Sequence, residues 1–442
     1  MDNEKDIGSN LISNKPANTA NTANTANTAN TAKLDMKNTN NNNNKNKKTQ
    51  AKNKNNAPSI TTKTIKSVEI SNDNSSDKTT NTALQSEKDS VDVYGIVEET
   101  NYFLLIGIAS ALILMLIIYF CSQTFRVNRT IDKMKVYQGF QRITSILENA
   151  NMGNVRLGNF YVASAYNASH CGFQMYDYTS ENIVLGVLQS GARYIEFNVF
   201  NSEFGEKAYP VVSMGYKIGE WKMMISDTPL ETIFQTIIDN AFTISDGING
   251  VNNPDDPIII GLNLNTNSNL GCLNLIAYLI TKYFNKQLLD NAYSYQNNDN
   301  IGDLKISQLM KKVIIFASDG FQGSGLEEIV NYSWDNINNN NKHSLQRLYY
   351  EDIIHPTFNT NQLIEYNRTG MTIIVPNKEG DFISDNFNTE KAFHLGCQFI
   401  ATNFQSVDNN MNYYITEFKD KSFVLKSIDL QKGTSNKKKS KK

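Results

Sequence analysis

The chain has 442 residues, and its 42 Lys and Arg against 44 Asp and Glu give a formal net charge of −2 at pH 7. This balance gives no sign of a nucleic-acid-binding surface, and we expect no nucleic acid partner. The four cysteines are scattered without a CxxC pair, which argues against a zinc site or a disulfide framework and fits a reducing compartment.

Residues 1–95 are rich in Asn, Thr, Lys and Ser and include the tandem run ANTANTANTANTANTA. Such a segment has too few apolar side chains to offset the entropy of ordering it, so we expect a disordered tail. The repeat has a period of three, which is too short for a supersecondary unit and indicates low complexity.

Residues 103–121, FLLIGIASALILMLIIYFC, carry no charged side chain. A run of this length favours a transmembrane helix over a buried core helix, and it starts too far into the chain for a cleaved signal peptide. Arg and Lys follow it in the predicted juxtamembrane linker or helix, 122–154, whereas Glu98 and Glu99 precede it. The positive-inside rule then places the C-terminal part in the cytosol and the N-terminal tail on the opposite side.

Short apolar runs alternate with helical stretches from 155 to 430. The predicted buried strands are FYVASAY, ARYIEFNVF, YPVVSMG, PIIIGLNL, KKVIIFAS and CQFIATNF, and the predicted helices are TSENIVLGVLQSG, TPLETIFQTIIDNAF and NLIAYLITKYFNKQLL. Continuous apolar strands are typical of a parallel sheet covered on both faces. The pattern predicts the α/β class and a (β/α)8 barrel of the TIM type. A doubly wound sheet is the alternative, although no glycine-rich phosphate loop supports it.

The chain ends in a basic tail, 431–442, which includes NKKKSKK. A solvated terminus and attraction to anionic lipid headgroups both explain this run.

Several stretches resemble the catalytic barrel of the eukaryotic phosphoinositide-specific phospholipases C. YVASAYNASH (161–170), TSENIVLGVLQSGARYIEFNVF and DDPIIIGLNLN are similar to its X half; LEEIVNY (326–332) and GCQFIATNFQSVDNNMNYYITEFKDKSFVLK (396–426) are similar to its Y half. The resemblance divides the barrel into an X-like part, about 155–318, and a Y-like part, about 326–427. It implies the fold of the PLC-like phosphodiesterases, a lipid phosphodiester substrate and a Ca²⁺ cofactor.

The two catalytic histidines of that family fall at Tyr166 and Met214 in this sequence. A phenol, with a pKa near ~10, cannot become a cation near neutral pH, and a thioether transfers no proton. His170 lies four residues beyond Tyr166 and is a candidate substitute, but a loop histidine is more often a surface residue. We therefore expect both histidine roles to be lost.

The family's calcium ligands fall at Asn167, Glu196, Asn198 and Asn263, so that three carboxylates are reduced to one. Glu196 and Asn198 are two apart on a strand and share a face. Because the affinity for Ca²⁺ follows the charge of the ligands, we expect no cofactor. We interpret Glu196 as a carboxylate whose hydrogen bonds are satisfied by other groups inside the barrel.

The family's phosphate-binding groups are also absent from the substrate-binding positions, which need charge-assisted partners. Two lysines are replaced by Phe316 and Ser318, an Arg and a Tyr by Ile373 and Val375, and a Ser maps loosely to Thr357.

In the family, apolar residues at the rim of the barrel insert into the membrane, and this sequence has apolar residues at the corresponding positions. We predict a membrane-facing ridge of Phe173, Met175, Tyr216, Ile218 and Trp221, with ordinary loop packing as the alternative.

Three functions remain open at this point. The first is a membrane-anchored pseudo-enzyme that binds lipid, including anionic lipid, or a protein partner. The second is an active phosphoric diester hydrolase with an altered mechanism. The third is a structural protein of a membrane or particle, such as the envelope of a large DNA virus, so that the membrane is a host or a virion membrane.

Overall fold

The computed structural model describes residues 80–140, 143–172, 177–202, 208–297, 300–334, 345–377 and 385–432; in the first range, side chains are described for 102–137. The chain divides into two units, Met1–Ala83 and Leu84–Lys442, and the second contains the barrel. Most of the predicted disordered tail, the basic run from 433 onward and the loop 173–176 lie outside the described residues.

The described chain contains nine α-helices and eleven strands. The helices are α1 Thr80–Phe140, α2 Glu181–Gln189, α3 Leu230–Asn240, α4 Leu270–Phe284, α5 Ile306–Leu309, α6 Tyr350–Ile354, α7 Thr360–Thr369, α8 Glu390–His394 and α9 Asn409–Glu417. The strands are β1 Phe160–Ala165, β2 Tyr194–Asn201, β3 Pro210–Ile218, β4 Glu220–Pro229, β5 Ile258–Asn265, β6 Val313–Ala317, β7 Tyr332–Ser333, β8 Leu345–Tyr349, β9 Met371–Val375, β10 Phe399–Thr402 and β11 Phe423–Leu425.

Eight parallel strands form a nearly closed barrel in the order β7-β6-β5-β2-β1-β10-β9-β8. The predicted (β/α)8 architecture is thereby confirmed. The order begins at β7 and ends at β8, so this pair forms the seam of the barrel.

The strand predicted at YPVVSMG is not one of the parallel barrel strands. It is β3, which pairs antiparallel with the end of β2 and then with β4. The hairpin β3–β4 turns at Gly219, whose φ of +71° favours glycine. Sequence reasoning missed β4, because its alternating exposed and half-buried residues lack the continuous apolar run of a barrel strand.

Two apolar layers account for the barrel's core. Residues that face inward, such as Tyr194, Phe316 and Phe399, form one buried cluster. Residues that face the helices, such as Phe197 and Ile260, form the other. This alternation along each strand explains why the strands are continuous apolar runs, and each buried large apolar side chain contributes about 1.5–3 kcal/mol.

Local sequence sets the start of several helices. The Ser180 side chain accepts a hydrogen bond from the Asn182 backbone amide at 3.1 Å and caps α2. Pro229 occupies the N-cap position of α3.

Helix α1 contains one segment, Tyr102–Tyr137, that is long and apolar enough to cross a membrane by length and composition. Its most apolar stretch is entirely unburied, unlike that of a core helix. The helix begins at Thr80 and continues to Phe140, so that it includes the end of the predicted tail and part of the predicted linker.

The C-terminal part of α1 packs against the barrel. Val127, Thr130, Met134 and Tyr137 are buried at helical spacing. The Thr130 hydroxyl donates to the Cys171 carbonyl at 3.0 Å. An added Cβ at Gly186 would lie 2.6 Å from the Met134 methyl group, so the glycine allows the close approach.

Candidate site in the barrel mouth

Three asparagines form a linear chain of amide hydrogen bonds at the carboxyl ends of the strands. We call this end of the barrel the barrel mouth. Asn263 donates to the Asn198 Oδ1 at 2.8 Å, and Asn198 donates to the Asn167 Oδ1 at 2.8 Å. Asn198 and Asn263 are register partners on β2 and β5. Asn167 follows β1 with a φ of +46°, a conformation that asparagine tolerates better than most residues. The structure thus brings three of the predicted ligand positions together.

Glu196, the fourth position, is fully buried and already has a cation. Arg347 Nη2 donates to Glu196 Oε1 at 2.8 Å, and the Tyr194 hydroxyl donates to Oε2 at 2.7 Å. Gly261, opposite Glu196 on β5, leaves room for this hydroxyl, because a Cβ there would lie 2.5 Å from it. The Glu196 carboxylate therefore has a cationic and a hydroxyl partner inside the barrel.

Sequence reasoning missed Arg347. It lies in the middle of β8, across the barrel from Glu196 and 151 residues away in sequence. Its guanidinium carbon is 5.9, 5.8 and 5.5 Å from the ring centroids of Tyr166, Trp334 and Tyr349, distances at which cations are attracted to aromatic rings. A signal was available, since alternation along LQRLY places the arginine on the same face as Leu345, inside the barrel.

Neither residue at the family's histidine positions is suited to proton transfer at neutral pH. Burial raises the pKa of the Tyr166 phenol, an effect that the nearby Arg347 charge partly opposes. Met214 is buried, and its sulfur lies 3.8 Å from the Asn198 amide nitrogen. The two positions predicted for the family's histidines therefore carry no group that exchanges a proton near neutral pH.

Calcium does not fit this set of donors. Ca²⁺ takes six to eight oxygen ligands and favours carboxylates. Here the carboxylate is paired with a guanidinium, and two of the three amide oxygens accept hydrogen bonds from neighbouring amides. In the described part of the chain, no group of three or more His, Cys, Asp or Glu is placed to hold a metal ion.

The predicted substrate-binding positions are dispersed. Phe316, Ile373 and Val375 are fully buried in the inward-facing cluster, where Phe316 stacks on Tyr332 at 5.7 Å. The Ser318 hydroxyl accepts a hydrogen bond from the backbone of β5 at 2.7 Å.

Thr357 lies apart from these positions. It is exposed and lines a cleft with Gln346 and Leu348, which alternate with the inward-facing Arg347 on β8 and so lie on the outer face of the barrel.

The described part of the predicted ridge lies on the β3–β4 hairpin. Ile218 is 76% exposed, Tyr216 is 40% exposed and Trp221 is half-buried. The hairpin also exposes Ile225, at 83%. Phe173 and Met175 lie outside the described residues.

His170 is not the surface residue that we expected. It is 3% exposed, and burial lowers its pKa to about 4. It pairs with Thr179 in an isolated bridge between the two ends of the loop after β1. At neutral pH the ring is uncharged, and it packs within the fold.

Comparisons with known proteins agree with this architecture. The model of "Phosphatidylinositol-specific phospholipase C, X domain" matches residues 154–319, and that of the Y domain matches residues 321–428. These boundaries are close to those predicted from the sequence. A search of the curated proteins finds no match.

Two solved structures have a similar fold. The crystal structures of S. officinalis PLC21 and L. pealei PLC21 both give a TM-score of 0.52, at 18% and 19% sequence identity, and each match covers 63% of this chain. The chain spans 38% of the length of each of those chains. At this identity the likeness concerns the fold alone.

Proposed function

Because the chain belongs to the phosphatidylinositol-specific phospholipase C family through its X and Y domains, we propose that it is a membrane-anchored member whose barrel has lost calcium-dependent phosphodiester cleavage. In this proposal the barrel is a pseudo-enzyme, held at a membrane surface, that binds lipid or a protein partner.

The observation that carries the proposal is the ion pair between Glu196 and Arg347. The guanidinium is a permanent cation bonded to the one carboxylate that remains at the family's ligand positions. A divalent ion would have to displace it and leave a buried arginine without its counter-ion, which is costly. Arg347 therefore neutralises the Glu196 carboxylate, as a metal ion would. Unlike a metal ion, it has no open coordination position for a substrate oxygen.

The loss of acid–base groups supports the same conclusion. General acid–base catalysis needs a group whose pKa lies near the working pH and which reaches the substrate. Tyr166 has a pKa raised by burial, and Met214 has no ionisable group. The three linked amides satisfy one another instead of presenting charge to a phosphate.

The arrangement of α1 beside the hairpin supports membrane attachment. The Tyr119 ring, at the end of the apolar segment, lies 5.5 Å from the Tyr178 ring in the loop after β1. The next residue, Thr179, donates from its backbone to the Ser226 hydroxyl of β4 at 3.2 Å. If α1 spans the bilayer, the exposed apolar hairpin is therefore tied to the end of the span, on the side of the barrel mouth.

A vesicle assay tests the proposal. The full chain is reconstituted in phosphatidylcholine vesicles that contain labelled phosphatidylinositol, and release of water-soluble inositol phosphate is measured with Ca²⁺ and with a chelator. An active phospholipase C on the same vesicles is the positive control. We expect release equal to that of protein-free vesicles in both conditions, for the wild type and for Glu196→Gln.

Calcium-dependent release that disappears in Glu196→Gln would refute the pseudo-enzyme proposal. Release that does not depend on calcium, but is lost in Tyr166→Phe, would favour a hydrolase with an altered mechanism.

A further inference from the structure

A cavity of about 230 Å³ lies beside the barrel mouth. Its walls come from the end of β2, from β4 and from the loop between β5 and α4. The lining residues are Phe200, Asn201, Trp221, Met223, Asn265, Thr266, Asn267 and Asn269. The cavity has roughly the volume of one small ring with its substituents.

Asn267 fixes the hairpin over this cavity. Its side-chain oxygen accepts from the Trp221 backbone amide at 2.7 Å, and its side-chain nitrogen donates to the Trp221 carbonyl at 3.0 Å. Asn267 adopts a left-handed φ of +52° to do so. The indole of Trp221 is thereby held at the cavity wall, edge-on to the Phe200 ring at 6.2 Å.

Two buried polar side chains line the cavity without partners. Asn265 is 3% exposed and Thr266 is 2% exposed, and within the described residues neither the Asn265 amide nor the Thr266 hydroxyl makes a side-chain hydrogen bond. Asn265 is two residues beyond Asn263 on β5 and so shares its face, toward the mouth. Their polar atoms are not among the buried side-chain atoms of the described residues that lack a partner, so they face the open space of the cavity and are available to a ligand.

Two more amides offer donors at the same wall. The Asn201 oxygen accepts from the Tyr209 backbone at 3.0 Å, and the Asn269 oxygen accepts from the Cys272 backbone at 2.9 Å as the cap of α4. Each leaves its amide nitrogen for a ligand. The cavity thus combines several donors and acceptors with one aromatic wall.

Among the described residues that line the cavity, none has a charged side chain. A phosphate or a carboxylate would need charge-assisted partners. An amide presents a donor and an acceptor side by side, and a sugar hydroxyl likewise donates and accepts, so paired amides match adjacent hydroxyl groups. The apolar face of a sugar ring fits against an indole.

We propose that this cavity binds a neutral sugar ring, recognised by Asn265, Thr266 and the amides of Asn201 and Asn269, with Trp221 as the stacking wall. The ring belongs either to a glycolipid headgroup or to a free sugar. The site does not depend on the loss of catalysis in the neighbouring mouth.

Fluorescence of Trp221 gives a direct test. The chain has two tryptophans, so a Trp334→Phe background leaves Trp221 as the reporter. The full chain, in a detergent without a sugar headgroup, is titrated with methyl β-glucoside and methyl β-galactoside, and with inorganic phosphate as the anionic comparison. We expect saturable binding of at least one glycoside with a dissociation constant on the order of 1 mM, and no response to phosphate.

Asn265→Leu and Thr266→Val should each weaken glycoside binding, by about tenfold for Asn265→Leu. Asn412→Leu, at an exposed position of α9, is the matched control and should bind like the parent. Because the two lining variants remove unpartnered polar groups, their Tm should not fall, which separates loss of binding from loss of folding.

Vesicles of phosphatidylcholine with and without a glucosyl or galactosyl diacylglycerol distinguish the two sources. A change in Trp221 emission on vesicles with the glycolipid assigns the ring to a lipid headgroup; a response to the free glycosides alone assigns it to a soluble sugar. The proposal would be overturned if Trp221 emission did not respond to the glycosides or the glycolipid, or responded to phosphate alone. An equal response to glycosides in Asn265→Leu and in the parent would also overturn it.

Discussion

Removal of the Arg347 charge is the sharpest test of the reasoning about the barrel mouth. Arg347→Met keeps most of the side-chain volume but leaves the Glu196 carboxylate, which is fully buried, with the Tyr194 hydroxyl as its remaining hydrogen-bond donor. Loss of one partner of a buried ion pair costs about 3–5 kcal/mol. The guanidinium also loses its contacts with three aromatic rings, worth about 0.5–2 kcal/mol each.

Thermal unfolding of the full chain, followed by circular dichroism and tryptophan emission, measures this loss. At 2–4 °C per kcal/mol, loss of the ion pair alone should lower the Tm of Arg347→Met by roughly 6–20 °C. The double variant Arg347→Met/Glu196→Gln should recover most of the loss, because no buried charge remains. Arg129→Met, at an exposed arginine of α1, is the matched control and should change the stability by less than about 0.5 kcal/mol.

The pH dependence of the single variant has a definite sign. Protonation of the orphaned carboxyl removes the buried charge, so the gap in stability between wild type and Arg347→Met should be largest near neutral pH and should narrow in acid. Three results would refute the view that Arg347 neutralises the charge of Glu196. The first is a loss of stability in Arg347→Met below about 1 kcal/mol. The others are a difference in stability from the wild type that does not depend on pH, and a double variant as unstable as the single variant.

Three further predictions concern the mouth and the hairpin. Gly261→Ala places a Cβ 2.5 Å from a tyrosine hydroxyl and should destabilise the barrel by about 1–3 kcal/mol in urea unfolding; an unchanged midpoint would contradict the close packing. Asn198→Asp removes the amide donor of a buried hydrogen bond and should lower the free energy of unfolding by about 1–3 kcal/mol. Addition of Ca²⁺ should leave the Tm of the wild type unchanged, because an ion that bound the folded state would raise it. A rise in Tm with Ca²⁺ would show that the site binds the ion. Ile218→Asp should reduce quenching of Trp221 by brominated lipids in the single-tryptophan background. Ile248→Asp, at an equally exposed position in the loop between α3 and β5, should not reduce it, and equal effects of the two variants would argue against a membrane-facing hairpin.

Much of the fold could be predicted from short stretches of sequence. Parallel strands buried on both faces read as continuous apolar runs, and this identified β1, β2, β5, β6 and β10. The same criterion misplaced the segment at β3, because its continuous apolar start resembles a barrel strand, and it missed β4, whose residues are mostly half-buried or exposed.

The candidate site was predictable where each position is fixed by its neighbours in sequence. Tyr166 and Asn167 adjoin β1, and Glu196 and Asn198 lie two apart on β2, so the residue types at these predicted positions could be read directly from the sequence. Their grouping at the strand ends follows from the barrel topology, since the carboxyl ends of parallel strands meet at one face.

Only the tertiary structure decided what replaces those groups. Arg347 and Glu196 belong to the Y and X halves and meet across the barrel, and the Asn265 cavity needs the hairpin to lie over the end of β5. Such contacts depend on strand order and register, which determine which side chains face one another across a closed sheet. The sequence alone determined the fold class, the apolar segment and the residue types at the predicted catalytic positions, because these are properties of consecutive residues. The internal cation and the neighbouring cavity depend on residues that only folding brings together.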